Sequence, residues 1–411
     1  MMKLAFLSQS KCISNREIIL PSSKSISNRV LIIRALSKHS FEIKALSDAK
    51  DTVMLDKLLN NLTSVMNSGD GGTTFRFLLA YLCTLSSSHT LTGSDAFCKR
   101  PVNTLVEALR DLGANIEYTR TEGMPPLQIL PSNLRGGDVY VDASLSSQFI
   151  SALMMIAPSL PGGLHIHFSK NAVSTPYLQM TSILMQYFGV SVSIDDFGIR
   201  IPEAVYQTRD YEVEADWSAA GFWYAWIACA DSGSKLFLKC LKRSGLQGDE
   251  LAVKLFDKIG VKTNILDNGV EIVKQNRMSD NFVHADFISC PDLAQPFISA
   301  LCGLRLKAHC TGLQTLIHKE TNRLAALQIE LEKTGAEIEI TSSELFIHGY
   351  ANHTMPLVFD TYHDHRMAMC LSPLVQRFSE ITIRDPDVVV KSYPTYWEQL
   401  SMVCRVQMSS N

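Results

Sequence analysis

Residues 106–120, VEALRDLGANIEYTR, join an amphipathic helix to a strand through a single glycine. Apolar residues recur at helical spacing before Gly113, and apolar and polar residues alternate after it, as in a half-buried strand. Gly113 suits the C′ position of the helix, where the backbone is left-handed. The same pattern recurs at Gly189, Gly260 and Gly335, at intervals of about 75 residues. The chain is therefore predicted to be an α/β protein of five or six such units, most economically two domains of three units.

Within several of these units, a second helix precedes the amphipathic one and is apolar nearly all round. The segments are SSQFISALMMIAP (146–158), SAAGFWYAWIACA (218–230) and LAQPFISALCGLRL (293–306). A helix without a polar face is stable only when it is surrounded by protein. These helices are therefore expected at the centres of the domains.

The bulk composition narrows the possible functions. A chain of 411 residues is too long for one typical core, and an apolar content of 46% with 19% charged residues is ordinary for a globular protein. A net charge of −3 argues against a general nucleic-acid binder or a protein of acidic membranes. No segment reads as a signal peptide or a bilayer span, and ten cysteines without CxxC pairs fit reduced thiols. A cytoplasmic protein without a metal site is expected.

Residues 20–37, LPSSKSISNRVLIIRALS, predict a largely buried helix that begins near Ser23. Lys24 then lies in the first turn, where unpaired N–H groups already carry partial positive charge, so a cation is unfavourable there unless an anion offsets it. Serine hydroxyls, N–H groups and Lys24 together indicate a phosphate or carboxylate site. The alternative is a capped helix whose Lys24 and Arg29 are solvated.

A glycine-rich stretch, GDGGTTFRF (69–77), also opens a predicted helix. It matches neither the P-loop nor the dinucleotide-binding pattern, but Gly71, Gly72 and Thr73 would let an anionic group approach backbone N–H donors, with Arg76 one turn later. The alternative is a tight turn capped by Asp70.

Hydroxyl and charged residues gather in four further segments. LSSQF provides Ser146, Ser147 and Gln148 and VSTPYL provides Ser174 and Tyr177, although helix capping also explains individual serines. HKETNR places Lys319, Glu320 and Arg323 within one predicted helical turn. A glutamate and an arginine three residues apart on a helix usually form a surface ion pair. TYHDHRMAMC contains His363, Asp364 and His365, a possible metal cluster, but the positive charge of Arg366 opposes the binding of a metal cation. VVVKSYPTYW places Lys391 at the end of a predicted strand.

Taken together, these segments resemble the 5-enolpyruvylshikimate-3-phosphate synthase family of enolpyruvyl transferases. Nine motifs occur in the family's order from one end of the chain to the other: SKSISNR, DGGTTFR, KRP, SLSSQF, VSTPY, PDLA, KETNR, DHRMAM and KSYPTYWEQL. The resemblance implies two inside-out α/β domains of three βαβαββ units each. One domain would comprise residues 1–21 and 214–411, and the other residues 22–213. It also implies a monomer whose active site lies in the cleft between the domains.

The family resemblance also implies roles for individual residues. It assigns the binding of shikimate 3-phosphate to Ser25, Arg29, Ser146, Ser147, Gln148, Ser174, Tyr177, Asp292, Thr315 and Lys319. It assigns the binding of phosphoenolpyruvate to Lys24, Gly72, Thr73, Arg100, Gln148, Arg323, Arg366 and Lys391. Asp292 and Glu320 would be the acid and base, assisted by Lys24 and His365. Neither a cofactor nor a metal is implied.

The chain departs from the common family pattern at a few positions. Asp70 replaces Asn, Phe77 replaces Pro and Asn322 replaces Asp, while Thr315 and Ile317 replace Asn and Arg. Asp70 adds negative charge near an anion site and puts the affinity for phosphoenolpyruvate and the sensitivity to glyphosate in question. Two alternatives stay open at this point: the sister transferase acting on UDP-N-acetylglucosamine, and a noncatalytic homologue that binds an anion.

Overall fold

The structure is a computed structural model that describes residues 3–9, 16–142, 147–168, 175–276, 281–353 and 356–410. The chain divides into two compact units. Met1–Pro21 and Glu214–Asn411 form the discontinuous unit, and Ser22–Val213 form the inserted unit. None of the helices described is both long and apolar enough to cross a membrane.

The strands are β1 (Lys3–Ser8), β2 (Arg16–Ile19), β3 (Ile43–Lys44), β4 (Val65–Asn67), β5 (His89–Thr92), β6 (Asn115–Tyr118), β7 (Leu127–Leu130), β8 (Gly137–Val141), β9 (Leu164–Phe168), β10 (Ser193–Asp195), β11 (Gly198–Ile201), β12 (Tyr211–Glu212), β13 (Lys235–Lys239), β14 (Val261–Leu266), β15 (Gly269–Lys274), β16 (Phe282–Asp286), β17 (Lys307–Thr311), β18 (Ala336–Ile340), β19 (Leu345–Tyr350), β20 (Leu357–Phe359), β21 (Glu380–Arg384) and β22 (Arg405–Ser410).

The α-helices are α1 (Lys24–Leu36), α2 (Lys50–Asn60), α3 (Gly72–Cys83), α4 (Asn103–Asp111), α5 (Ser147–Ile156), α6 (Thr175–Tyr187), α7 (Trp217–Cys229), α8 (Ala252–Asp257), α9 (Ala294–Gly303), α10 (Arg323–Glu332), α11 (His365–Leu371), α12 (Val375–Phe378) and α13 (Tyr396–Ser401). Short 3₁₀ helices cover Phe97–Lys99, Ala157–Ser159, Gly248–Leu251, Pro291–Leu293, Gln314–His318, Ser372–Leu374 and Pro386–Lys391.

Five four-stranded sheets repeat one topology, in which two parallel strands are followed by two antiparallel ones. In the inserted unit the orders are β4-β5-β7-β6 and β10-β11-β9-β8. In the discontinuous unit they are β14-β15-β13-β2, β16-β17-β19-β18 and β20-β21-β1-β22. The remaining part of the inserted unit differs, because its only described sheet is the short parallel pair of β12 and β3. Five of the six predicted units therefore have a complete four-stranded sheet.

The apolar helices lie at the centre of each unit, as their composition predicts. In α7, every residue except Ser218 is buried, and α7 and α11 both pack against α9. In the inserted unit, α5 is buried at every residue except Gln148 and packs against α3 and α6. Helices thus form the interior and sheets the exterior of each unit, the reverse of an ordinary sheet-centred α/β domain.

The repeated glycines have the predicted conformation. Gly113, Gly189, Gly260 and Gly335 have φ values of +96°, +83°, +83° and +87°. Each glycine lies between the end of a helix and the start of the next strand. At Gly335 a Cβ atom would lie 2.4 Å from the carbonyl oxygen of Ala351, so space as well as backbone angle requires glycine there.

Candidate active site

Helix α1 of the inserted unit begins where the serine pattern predicts. Ser23 is the N-cap, and its hydroxyl accepts a hydrogen bond from the N–H of Ile26. Lys24 occupies the first helical position, and its Nζ lies 3.3 Å from Oδ2 of Asp51, a residue of the first turn of α2. Asp51 thus supplies the anion that a lysine at a helix N-terminus requires. No motif of the sequence marks Asp51 as a member of the site.

Arg29 lies inside the inserted unit and is 2% exposed. Its Nε donates to Thr181 Oγ1 at 2.7 Å, Nη1 donates to the carbonyl of Ser25 at 2.8 Å, and Nη2 donates to Ser151 Oγ at 3.1 Å. A weaker 3.4 Å contact joins Nη2 to the carbonyl of Tyr177. Burial lowers the pKa of Arg29 to about 10, and none of the carboxylates that the structure describes forms an ion pair with it. The alternative of a solvated Arg29 is therefore wrong.

The glycine-rich segment opens α3, with Gly71 rather than Asp70 as the N-cap. A Cβ on Gly72 would lie 2.7 Å from Nη1 of Arg76 and 3.5 Å from Nη1 of Arg100. Two guanidinium groups therefore flank the backbone of Gly72, with half-buried Thr73 next to it. This segment, with its two guanidinium groups, forms a compact cationic corner of the inserted unit.

Gln148 links this corner to helix α5. Its Oε1 accepts a 2.7 Å hydrogen bond from Nη1 of Arg76, and the guanidinium carbon of Arg76 lies 4.9 Å from the ring centroid of Phe149. Ser147, at the first position of α5, is buried, and Tyr177 near the start of α6 is half-buried. Ser146 and Ser174 lie outside the described residues, so their roles in binding stay predictions.

The departures from the family pattern have local structural partners. Asp70 is exposed and accepts a hydrogen bond from the hydroxyl of Ser94. Phe77 is fully buried, with the guanidinium carbon of Arg29 5.4 Å from its ring centroid. Asn322 caps α10 by accepting from the N–H of Ala325 at 3.1 Å, a function that Asp and Asn perform about equally well.

Arg323 is the centre of the charged cluster in the discontinuous unit. It is 2% exposed and contacts three carboxylates: its Nε lies 2.7 Å from Asp364, its Nη2 lies 2.8 Å from Glu320, and its Nη1 lies 3.4 Å from Asp292. Burial by itself lowers the pKa of Arg323, but the three carboxylates outweigh it and raise that pKa above its ordinary value. The expectation of a surface Glu320–Arg323 pair on one helical turn is therefore wrong: Glu320 precedes α10, and Arg323 points into the protein.

Two further cations extend this cluster. Arg366 Nη2 lies 3.0 Å from Oδ2 of Asp292, and Lys391 Nζ lies 2.9 Å from Oε1 of Glu320. The order Arg366, Asp292, Arg323, Glu320, Lys391 alternates in charge, so each predicted acid/base carboxylate lies between two cations. Such a row holds both carboxylates in defined positions.

Lys319 and Thr315 differ from the other members of this cluster. Within the described residues, the Lys319 ammonium has no ion pair within 4 Å, and Thr315 Oγ1 is buried without a hydrogen-bond partner. Burial lowers the pKa of Lys319, an effect that nearby Asp292 opposes. Both residues therefore present donors that an incoming anion would satisfy.

Asp364 has a structural function that the sequence reading did not assign. It is the N-cap of α11, where its Oδ1 accepts from the N–H of Arg366 at 2.8 Å while its Oδ2 pairs with Arg323. His365 is 2% exposed, with Nδ1 3.6 Å from Oδ1 of Asp364. The pairing of Asp364 with Arg323 explains the acidic residue between two histidines without a metal.

Asp249 is a further charged residue near the site that no sequence motif indicates. It is buried on the 3₁₀ turn Gly248–Leu251 and accepts a hydrogen bond from Ser218. Burial, together with the charge of Asp292, raises the pKa of Asp249 to about 7. A side chain that titrates near neutral pH thus interacts with one of the predicted acid/base groups.

The segment before Lys391 is not a strand. Residues Pro386–Lys391 form a 3₁₀ helix, although three consecutive valines favour a strand by propensity. Pro386 presets the first helical φ angle, and buried Val389 accepts backbone hydrogen bonds from Ser392 and Tyr393. Tertiary packing therefore overrides the propensity of the valines.

Comparisons with known proteins agree on one family. The family model described as EPSP synthase (3-phosphoshikimate 1-carboxyvinyltransferase) matches residues 61–400. A 3-phosphoshikimate 1-carboxyvinyltransferase of Bacteroides fragilis is 40% identical over 93% of each chain, and one of Sulfurovum sp. is 34% identical over 94% of this chain and 96% of the relative. The structure of EPSP synthase from Acinetobacter baumannii has the same fold, with a TM-score of 0.79, 19% identity and full coverage of both chains. The chain therefore belongs to the EPSP synthase family.

Proposed function

We propose that this protein transfers the enolpyruvyl group of phosphoenolpyruvate to the 5-hydroxyl of shikimate 3-phosphate, which releases inorganic phosphate. Its family description and its relatives' names specify this transferase activity, a step of the shikimate pathway. A cytoplasmic monomer is part of the same proposal. The observation that carries the residue assignments is the row in which Asp292 and Glu320 alternate with Arg366, Arg323 and Lys391.

The alternating row suits a strongly anionic substrate. Phosphoenolpyruvate carries nearly three negative charges, and guanidinium groups bind carboxylates and phosphates through paired hydrogen bonds. On binding, the substrate would take over contacts of Arg366, Arg323 and Lys391 that Asp292 and Glu320 now occupy. Arg323 would stay in place because its 2.7 Å contact with buried Asp364 is independent of the two acid/base groups.

The Lys319 ammonium and the Thr315 hydroxyl are proposed to donate hydrogen bonds to shikimate 3-phosphate. A phosphate beside Lys319 would restore the charged ammonium that burial disfavours. Asp292 lies in the electrostatic neighbourhood of Lys319, so a substrate held there would bring a hydroxyl toward this carboxylate. Part of the energetic gain comes from satisfying the buried Thr315 hydroxyl, which the described part of the chain leaves without a hydrogen-bond partner.

The inserted unit supplies the remaining proposed contacts. Arg29 has five N–H groups and four contacts within the described residues, so one N–H of Nη1 is available to a substrate carboxylate beside Ser25. Gln148 and Tyr177, with Ser146, Ser147 and Ser174, would hold the ring and its phosphate. Lys24, Gly72, Thr73 and Arg100 would bind phosphoenolpyruvate.

The proposed chemistry is one addition and one elimination. Asp292 accepts the proton of the 5-hydroxyl as its oxygen attacks C2 of phosphoenolpyruvate, and Glu320 donates a proton to the methylene carbon, which gives a tetrahedral intermediate. Glu320 then removes a proton from the new methyl group as the C2–O bond to phosphate breaks. Lys24 and His365 stabilise the charge on the departing phosphate, which takes up the proton that Asp292 accepted and so restores that carboxylate. The enol ether is restored, and no redox step is needed.

The test is phosphate release from phosphoenolpyruvate with shikimate 3-phosphate as acceptor, and with UDP-N-acetylglucosamine as a second acceptor. We expect release only with shikimate 3-phosphate. Glu339→Gln, at an exposed strand position paired with His348, is a matched control for Glu320→Gln and should keep full activity. Release only with the nucleotide sugar, or no release from folded protein that binds shikimate 3-phosphate, would overturn the proposal.

A further inference from the structure

Three side chains with metal-ligand chemistry meet on the outer face of the sheet that contains β8 and β9. His165 and His167 are alternate residues of β9, so their side chains leave the sheet on the same face. Asp138 of β8 pairs with His165 in the parallel register. Among the residues that the structure describes, these three are the one group of His, Cys, Asp or Glu whose ligand atoms all lie within 4.8 Å of one another. None of the three is assigned to the reaction above.

The contacts between these side chains are short and converge on one oxygen atom. Oδ1 of Asp138 lies 2.6 Å from Nε2 of His167 and 3.1 Å from Nδ1 of His165. The two imidazole ring centroids are 3.7 Å apart. One carboxylate oxygen thus faces two ring nitrogens, an arrangement that a shared proton or a shared cation can hold together.

We propose that Asp138, His165 and His167 form a binding site for a divalent transition-metal ion of the class that prefers imidazole ligands, represented by Zn²⁺. Two imidazole nitrogens and one carboxylate oxygen are a common donor set for this ion. Bonds of about 2.0–2.1 Å in a tetrahedral arrangement place neighbouring donor atoms about 3.3 Å apart. The present nitrogen–oxygen distances of 2.6 and 3.1 Å therefore need to lengthen by less than about 1 Å. Water would complete the coordination, since Asp138 is 63% exposed.

Neighbouring side chains define how tight this site can be. The ring of Tyr140 stacks on His167, with a centroid distance of 4.6 Å and an interplanar angle of 14°, which limits rotation of the imidazole. The hydrogen bond from His167 is the main reason that the pKa of Asp138 is lowered, so the carboxylate is charged at neutral pH. Arg200 of β11 pairs with His165 in the antiparallel register and leaves the sheet on the same face. Its charge opposes a bound cation, although water and salt screen it because Arg200 is exposed.

The experiment uses the full chain without an affinity tag, freed of metal by a chelator and titrated with ZnCl₂ in a calorimeter. The background variant is Cys240→Ser, because the exposed Cys240 thiol is itself a zinc ligand. We expect one ion per chain, with His165→Ala and His167→Ala each raising Kd by at least about tenfold, equivalent to ~1.4 kcal/mol. Arg200→Gln should lower Kd severalfold. His348→Ala removes an exposed histidine that pairs with a carboxylate on another sheet, and it should leave Kd unchanged.

Co²⁺ gives a second readout that does not depend on enzymatic activity. A nitrogen-and-oxygen site of low coordination number gives Co²⁺ intense visible absorption bands, which the His165→Ala, His167→Ala double variant should abolish. Equal Kd values for the double variant and its parent, or no saturable binding below about 1 mM Zn²⁺, would overturn the proposal, since a specific site requires an affinity well above that limit.

Discussion

Replacing Asp364 by Asn tests whether the buried Asp364–Arg323 pair holds the charged cluster in place. Asn keeps the size of the side chain and an oxygen that can cap α11, so the N–H of Arg366 stays satisfied. The change removes one negative charge 2.7 Å from a guanidinium that is 2% exposed. The variant therefore isolates the charge of Asp364 from its capping function.

The expected loss follows from the contacts that remain. Removing one partner of a buried ion pair typically costs about 3–5 kcal/mol. Arg323 keeps Glu320 at 2.8 Å and Asp292 at 3.4 Å, so the cost should lie at the low end, at ~3 kcal/mol. Asp364→Ala should cost about 1 kcal/mol more, because it also deletes the cap.

Urea unfolding followed by tryptophan fluorescence measures this loss in the relevant part of the molecule. All four tryptophans, Trp217, Trp223, Trp226 and Trp397, belong to the discontinuous unit, as do Asp364 and Arg323. Asp387→Asn is the matched control, because Asp387 pairs with Lys3 and both side chains are 55% exposed. This exposed pair should contribute no more than about 1 kcal/mol.

A free energy of unfolding for Asp364→Asn within about 0.5 kcal/mol of the wild type would refute the reasoning, since surface changes have effects of that size. Equal losses for Asp364→Asn and Asp364→Ala would instead refute the capping function of Asp364.

Four further predictions address the site. Asp292→Asn and Glu320→Gln should each fold and bind substrate but lower kcat by about 10²–10⁴-fold in the phosphate-release assay, because the amide cannot transfer the proton; a near-normal kcat would exclude the assigned role. Lys319→Met should raise the Kd for shikimate 3-phosphate by about 10–100-fold in calorimetry, because a charge-assisted hydrogen bond is lost; an unchanged Kd would contradict this. The pKa of Asp249 rises from 3.8 to about 7 on folding, so the folded state binds more protons between these values and stability falls as pH rises through this range. Asp249→Asn should remove that fall and gain roughly 2–4 kcal/mol relative to wild type between pH 5 and pH 8 in urea unfolding, and a constant difference would contradict this. Asn322→Ala should destabilise α10 by about 1 kcal/mol while Asn322→Asp should not, as measured by the same unfolding assay.

Much of the fold was accessible from sequence because its signals are local. Gly113, Gly189, Gly260 and Gly335 mark helix ends by a conformational requirement that no other residue meets as easily. The helix starting at Lys24 and the buried helix α7 follow from capping residues and apolar content alone. The three valines before Lys391 predict a strand, but the structure has a 3₁₀ helix there. The β propensity of valine is a weak effect, and tertiary packing around Val389 outweighs it.

The cations of the site were predictable from motifs, but several of their carboxylate partners were not. Asp51 lies 27 residues from Lys24, and Asp364 lies 41 residues from Arg323. Contacts at such separations depend on how elements pack, which no spacing rule encodes. Asp249 illustrates the same point, because only burial near Asp292 gives it an unusual pKa.

The inserted unit separates the first strands of two sheets of the discontinuous unit from their partners, which has a consequence for synthesis on the ribosome. β2 pairs with β13, and β1 pairs with β21 and β22, so the first two strands made must wait for partners encoded after the inserted unit. At about 5–20 residues per second, the roughly 190 residues of that unit take on the order of ten to forty seconds to appear. The inserted unit can therefore acquire its native structure while the nascent chain is still growing, whereas the discontinuous unit closes its last sheet only once β22 has left the exit tunnel.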